Sequence, residues 1–178
     1  MVIGFIKTEG DNRCPVSTKN IEKWKKAGIS VLIEADLGAS IGENFQDYSA
    51  PRAEVISKSD VIFGNSISSF EEFKNVQNDK VIISFFEPYN GKFDPAGTSD
   101  KMKFFSMDMI PRSTLAQAMD ALSSMASISG YQAVLLSAAK LPKYFPMMMT
   151  AAGTVKPSTV LIIGAGVAGL QAVATARK

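Results

Sequence analysis

The sequence predicts an α/β fold: a lobe built on a parallel sheet, a long connecting helix, and the opening of a second α/β unit. Three observations carry this. Short β-branched or aromatic runs alternate with longer stretches of mixed polarity as far as Met107. One long strand-free stretch follows Pro111. Near the end, closely spaced glycines join an apolar run to an Ala-rich segment.

The elements follow in order. The predicted strands are 2–6, 30–34, 61–64, 81–86, 103–107 and 160–163. Between the first two, residues 18–27 carry Ile21 and Trp24 at i and i+3, with Gly28 just beyond, which is an amphipathic helix stopped by glycine. Residues 51–58 open on Pro51, a helix-start signal. Residues 69–77 begin with Ser and place Glu71 and Glu72 in a first turn, where the helix dipole favours them. Residues 113–140 read as one helix, with Leu115, Met119, Leu122, Met125 and Ile128 near 3–4 spacing, Gly130 as a point of kinking or breakage, and Leu141-Pro142 as its end. Residues 143–156 read as an irregular connector in which Met147, Met148 and Met149 fill a core gap. The resulting division is 1–124 as the N-terminal lobe, 125–156 as connecting helix and linker, and 157–178 as the incomplete start of a second lobe.

Composition narrows the chemistry. With 46% apolar and 20% charged residues, the chain can bury a core. It contains no histidine and one cysteine, Cys14. That removes Ser-His-Asp and Cys-His catalysis, His-ligated zinc and internal disulfides, and it suggests a reducing compartment. Any general acid or base must be Asp, Glu, Lys, Tyr or Cys14. No metal site and no acid–base catalytic residue is assigned. A net charge of +2 without a basic block gives no electrostatic case for nucleic acid. The run 160–176 is nearly uncharged, but it is shorter than the roughly 20 residues of a membrane span and is interrupted by Gly164, Gly166 and Gly169. No segment is expected to insert directly into a membrane.

Thr159-Val160-Leu161-Ile162-Ile163-Gly164-Ala165-Gly166-Val167-Ala168-Gly169-Leu170 has the G-x-G-x-x-G form, after an apolar run and before an Ala-rich helix. This is the context of a Rossmann dinucleotide turn. Gly164 permits the tight turn, Gly166 lets backbone approach a pyrophosphate, and Gly169 allows close helix packing. The N–H groups of Val167 and Ala168, beside Ala165, would face the phosphates. A ligand-free glycine turn is the plainer alternative. The acidic residue that holds the ribose is expected about 20 positions further on, past Lys178. The chain is therefore expected to be an N-terminal fragment of a longer protein.

A second informative stretch runs from Met107-Asp108-Met109-Ile110-Pro111-Arg112 to Ser123-Ser124-Met125-Ala126 and on through Gly130-Tyr131-Gln132-Ala133. Together with Thr150-Ala151-Ala152-Gly153 and the glycine turn, it resembles the NAD(H)-binding α subunit of the proton-translocating nicotinamide nucleotide transhydrogenases. More distantly it resembles the alanine dehydrogenases of the same superfamily. The resemblance runs over the whole chain but covers less than half of such a subunit. It implies a flavodoxin-like first lobe and a Rossmann second lobe, and a loop from the first lobe that reaches the nicotinamide. Arg112, Gln117 and Asp120 match that loop and Ser123 matches its following serine, while Leu115 departs from it, where transhydrogenases often carry a second Arg. On spacing alone the plainer reading is Ser113 or Thr114 as a helix cap, with Gln117 and Asp120 on a solvated face; the resemblance turns the balance toward ligand binding.

The resemblance also implies partners. NAD(H) would bind this component and NADP(H) a partner domain, attached to a membrane component. The full subunit would be a homodimer, on the cytoplasmic face of the bacterial inner membrane or the mitochondrial matrix side, held there by its partner. Alanine dehydrogenases use an Arg, a Lys and a His around the amino acid. Arg13 stands at the first position, but the others fall near Gly64 and Glu87. Hydride passage between two nicotinamides needs no such acid or base, so the transhydrogenase branch fits better. An alanine dehydrogenase-like fragment and a non-enzymatic short paralogue acting as a binding module are the other two readings. The 160–176 unit, without neighbouring strands, is expected to self-associate or to be disordered.

Overall fold

A computed structural model describes the chain except Ser68, Gln77, Asn78, Lys92 and Lys178. The chain divides into two compact units, Met1–Pro111 and Arg112–Lys178.

In the first unit the strands are β1 (Val2–Phe5), β2 (Ser30–Glu34), β3 (Ser49–Ala50), β4 (Val61–Phe63), β5 (Lys80–Ser84) and β6 (Met102–Ser106). They form one sheet in the order β3-β2-β1-β4-β5-β6, and every neighbouring pair is parallel. Setting aside the two-residue edge strand β3, this is the flavodoxin-like order, with its switch point between β1 and β4. Helices α1 (Thr18–Lys26) and α2 (Arg52–Lys58) are the crossovers expected from the sequence.

Strand periodicity sorts the core onto two faces. Ile3, Phe5, Val31 and Ile33 pack with Ile21 of α1, and Trp24, Val61 and Phe63 close that side. Ile62, Ile82 and Met102 pack with Val55 and Ile56 of α2 and with Phe73 on the other. A parallel sheet covered on both faces explains why its strands read as short continuous apolar runs. Phe73 belongs to a 3-10 turn, Glu71–Phe73, where the sequence suggested a helix over 69–77. Phe73 is fully buried there, and Phe70 packs on Phe86, Phe93 and Phe104, so the segment is shaped by aromatic packing rather than by helix propensity. The end of that expected helix, Gln77, lies outside the described residues.

The second unit holds α3 (Ala121–Lys140), a hairpin of β7 (Met148–Thr150) and β8 (Gly153–Val155), and α4 (Val167–Ala176). Three expectations change. The long helix begins at Ala121, not Ser113; only a 3-10 turn, Gln117–Met119, precedes it. Asp120 is its true N-cap, because its carboxylate accepts the backbone N–H of Ser123. Gly130 does not break α3, which runs continuously through it. The 143–156 connector contains the hairpin, and Met147 and Met149 are 59% and 76% exposed, so they fill no core gap. Residues 160–163 precede the glycine turn as expected, but they pair with no strand among the described residues. A strand exists only through its ladder partners.

Candidate functional site

The glycine turn shows a separate physical reason for each glycine. Gly164 has φ +103, a conformation that L side chains rarely adopt. Gly166 caps α4, and a side-chain carbon added there would meet nothing within 4 Å, so its surroundings are open to a ligand. Gly169 is in close contact: an added carbon would stand 2.0 Å from the Gly164 carbonyl oxygen. The first bond of the turn runs from the Leu170 N–H to the Gly166 carbonyl at 2.9 Å. The N–H groups of Val167, Ala168 and Gly169 therefore have no acceptor inside the helix. No acidic side chain lies in that first turn. Free donors, positive dipole end and open space suit an anionic group, so the residues present fit the pyrophosphate part of a dinucleotide.

The Arg112–Ser123 segment is arranged differently from its sequence reading. Because α3 starts at Ala121, Gln117, Asp120 and Ser123 do not share one helical face. Asp120 and Ser123 do come together: the Ser123 hydroxyl donates to Oδ2 of Asp120 at 2.6 Å and its N–H donates to Oδ1 at 2.9 Å. These two bonds hold the Asp120 carboxyl below its ordinary value, and the Arg112 charge adds to the shift. Arg112 and Gln117 are exposed, and neither side chain makes a hydrogen bond among the described residues. The Asp120–Ser123 pair is thus a cap. Leu115, at the departure from the family pattern, is 94% exposed.

The first unit carries an open crevice of about 800 Å³ at the carboxyl ends of β1 and β4, where open α/β sheets bind ligands. Lys7, Thr8, Asp11, Glu34, Arg52 and Ser66 are among the residues that line it. The sequence singles out none of them, because strand order, invisible in a linear reading, is what brings these loops together. Arg52 fixes one wall. It donates through Nη1 to Glu34 Oε2 at 2.8 Å and through Nε to Glu72 Oε2 at 2.7 Å. Thr8 links the two loops, donating to the Ser66 carbonyl at 3.0 Å and accepting the Ser66 N–H at 2.9 Å.

Arg13, Gly64 and Glu87, the positions compared with amino-acid dehydrogenases, are not among the residues that line this crevice. The Arg13 fork is already engaged, with Nε and Nη2 on the Asp11 carboxylate at 2.9 and 2.6 Å. A carbon added at Gly64 would press on Ile6 and Ile67 at 3.1 Å. Glu87 adopts φ +48 and accepts from Asn90 Nδ2 at 2.7 Å. Cys14 donates to the Val16 carbonyl at 3.2 Å, and burial pushes its thiol pKa up, away from nucleophilic use. Among the described residues no cluster of acidic, Cys or His side chains is suited to a metal, and no helix is long and apolar enough to cross a membrane.

Comparison with known proteins places this geometry in context. Residues 6–129 match the model of the alanine dehydrogenase/PNT N-terminal domain, and 133–178 match that of the C-terminal domain. The chain is 36% identical to "NAD(P) transhydrogenase subunit alpha" of Haemophilus influenzae, over 99% of this chain and 36% of that protein. It is 34% identical to "NAD(P) transhydrogenase subunit alpha" of Cereibacter sphaeroides, over 94% of this chain and 34% of that protein. The crystal structure of a transhydrogenase from Sinorhizobium meliloti superposes with a TM-score of 0.87 at 35% identity, over 99% of this chain and 56% of that one. An L-alanine dehydrogenase structure superposes with a TM-score of 0.75 at 20% identity, over 99% of this chain and 52% of that one, a likeness of fold alone. The chain thus spans about a third of the length of these two sequence relatives.

Proposed function

We propose, because the chain belongs to the alanine dehydrogenase/PNT family, that it forms the N-terminal part of the NAD(H)-binding component of a proton-translocating transhydrogenase. The observation that carries this reading is the glycine turn: open space at Gly166 beside the N–H groups of Val167, Ala168 and Gly169, which have no acceptor among the described residues, backed by the tight Gly164–Gly169 contact. The greater identity to a transhydrogenase than to an alanine dehydrogenase supports the branch, as does the Arg13 fork closed on Asp11.

The nicotinamide carries the transferable hydride. The residues assigned here bind and orient. Gly164, Ala165, Gly166, Val167, Ala168 and Gly169 receive the pyrophosphate on backbone N–H groups. Arg112 and Gln117, exposed and uncommitted, are the donors that hold the nicotinamide end. Asp120 and Ser123 fix the start of α3 so that this segment leaves in a constant direction. No residue is assigned a proton transfer. NADP(H) binds a partner domain joined to a membrane component, and the longer subunit is a homodimer. The complex lies at the cytoplasmic face of the bacterial inner membrane or the matrix side in mitochondria, and this chain is held there through its partner. In domain terms, 1–124 is the N-terminal lobe, 125–156 the connecting helix and linker, and 157–178 the start of the dinucleotide-binding lobe.

The test is ligand binding by the longest form of the chain that its gene encodes. NADH should quench or shift intrinsic fluorescence with saturable binding, and pyruvate plus ammonia should support no NADH oxidation. Binding of alanine or pyruvate without NADH binding would overturn the reading.

A further inference from the structure

Gly130 stands where α3 comes closest to α4. A side-chain carbon built there would lie 2.1 Å from the carbonyl oxygen of Ala168 and 2.9 Å from its carbonyl carbon. The obstacle is backbone in the first turn of a helix, which cannot swing aside as the end of a side chain can. Gly130 is buried, whereas its neighbours Ile128 and Tyr131 are 57% and 48% exposed. The same face of α3 continues the contact: the Ser127 hydroxyl donates to Gln171 Oε1 at 3.3 Å, and Val134 and Ala172 are buried. A glycine inside a helix is less favourable than alanine. Here α3 runs unbroken through it, and what the glycine permits is the close approach.

What Gly130 approaches is the phosphate-facing turn. The Ala168 carbonyl and the Gly169 N–H belong to one planar peptide group. A push on that oxygen therefore turns that N–H. Gly169 is itself in close contact with the Gly164 carbonyl oxygen, at 2.0 Å from where a side-chain carbon would be. The two ends of this one peptide thus each make a contact that only glycine allows, one with α3 and one within the glycine turn. We propose that Gly130 is a positioning residue for the dinucleotide site, a fourth glycine of the motif supplied by the fold rather than by sequence spacing, which sets the direction of the Gly169 N–H toward the pyrophosphate. The proposal rests on the reading of the glycine turn as a dinucleotide site.

Gly130→Ala, made in the longest form of the chain that the gene encodes, should weaken NADH and ADP-ribose about tenfold or more, since displacements of about 1 Å are felt on that scale. Adenosine, which lacks the pyrophosphate, should bind as before. Val134→Ala loosens the same helix pair without touching the Ala168 oxygen; it should lower the melting midpoint and leave NADH affinity unchanged. Equal loss of all three ligands in both variants would reduce Gly130 to a packing residue and overturn the proposal, as would unaltered NADH binding by Gly130→Ala. Should that variant not fold, the unmutated protein still decides. ADP-ribose should shift the Gly130 Hα and Ala168 carbonyl resonances together with the Gly169 amide, and silence at the first two overturns the proposal. If the unmutated protein binds neither NADH nor ADP-ribose, it is the reading of the site that falls.

Discussion

At the residue scale, two cationic side chains tie the first unit together. Arg52 joins Glu34, Glu72 and the Lys7 carbonyl, which accepts from Nη1 at 2.8 Å, so it ties α2 to the end of β2 and to the loop that follows β1. Arg52→Met leaves two carboxylates facing each other. It should lower stability by about 1–2 kcal/mol in urea unfolding, a figure discounted because the side chains keep solvent contact. Arg52→Lys should recover only part of this, since an ammonium cannot serve both carboxylates as a fork. Lys80 is the second. It is buried, with Nζ donating to the carbonyls of Ser57 and Ser59 at 3.0 and 2.6 Å, and it caps the end of α2. Burial lowers its pKa from 10.5, with Asp60 opposing. The folded state then binds fewer protons than the unfolded state between the lowered value and 10.5, so stability rises with pH across that window. Lys80→Met removes the titrating group. The stability difference, wild type minus variant, should grow in favour of wild type as pH climbs through the window, and a difference that shrinks would refute the assignment.

At the element scale, the parallel strands were legible and the start of α3 was not. Strands buried on both faces must be continuous apolar runs, and 30–34 is such a run that became β2 without adjustment. The segment 113–120 carries the same 3–4 apolar spacing as the helix behind it, so periodicity alone extends α3 too far. The local signal was present in Asp120, followed at N3 by Ser123, whose N–H it receives. The hairpin was hidden for the opposite reason: Ala151-Ala152 at its turn are not turn formers, and only Gly153, at φ +127, marks it. Of the site, the glycine turn was readable because its spacing is local, whereas the Gly130 contact joins residues distant in sequence and needed the fold. The cap makes its own prediction. With its pKa lowered, Asp120 supports the first turn of α3 at pH above the unfolded carboxylate value, and that support is lost as pH falls through the folded one. Amide protection factors at Ser123 and Ser124, corrected for the intrinsic pH dependence of exchange, should fall on acidification. In Asp120→Asn, which still accepts as a cap, this acid sensitivity should disappear; in Asp120→Ala protection should be low at every pH.

At the scale of the whole molecule, the second unit departs from the balance of surface and core that the first achieves. Leu161 and Ile163 are 85% and 91% exposed, within the uncharged run Thr159-Val160-Leu161-Ile162-Ile163. Such a β-prone run without ladder partners is a template for pairing with another chain. Little opposes that encounter, since a net charge of +2 supplies only weak repulsion between copies. The 178-residue chain should therefore self-associate through residues 159–163. Sedimentation velocity should show mass rising with concentration, and added salt should not reverse it, because the attraction is apolar rather than ionic. Leu161→Glu combined with Ile163→Glu places two like charges on that run and should yield a single slow species at the same concentration. The first unit, whose core does not involve these residues, should keep its unfolding transition. A concentration-independent monomer in the unmutated chain would show that this run is not sticky, and the exposed leucine and isoleucine would then be ordinary surface.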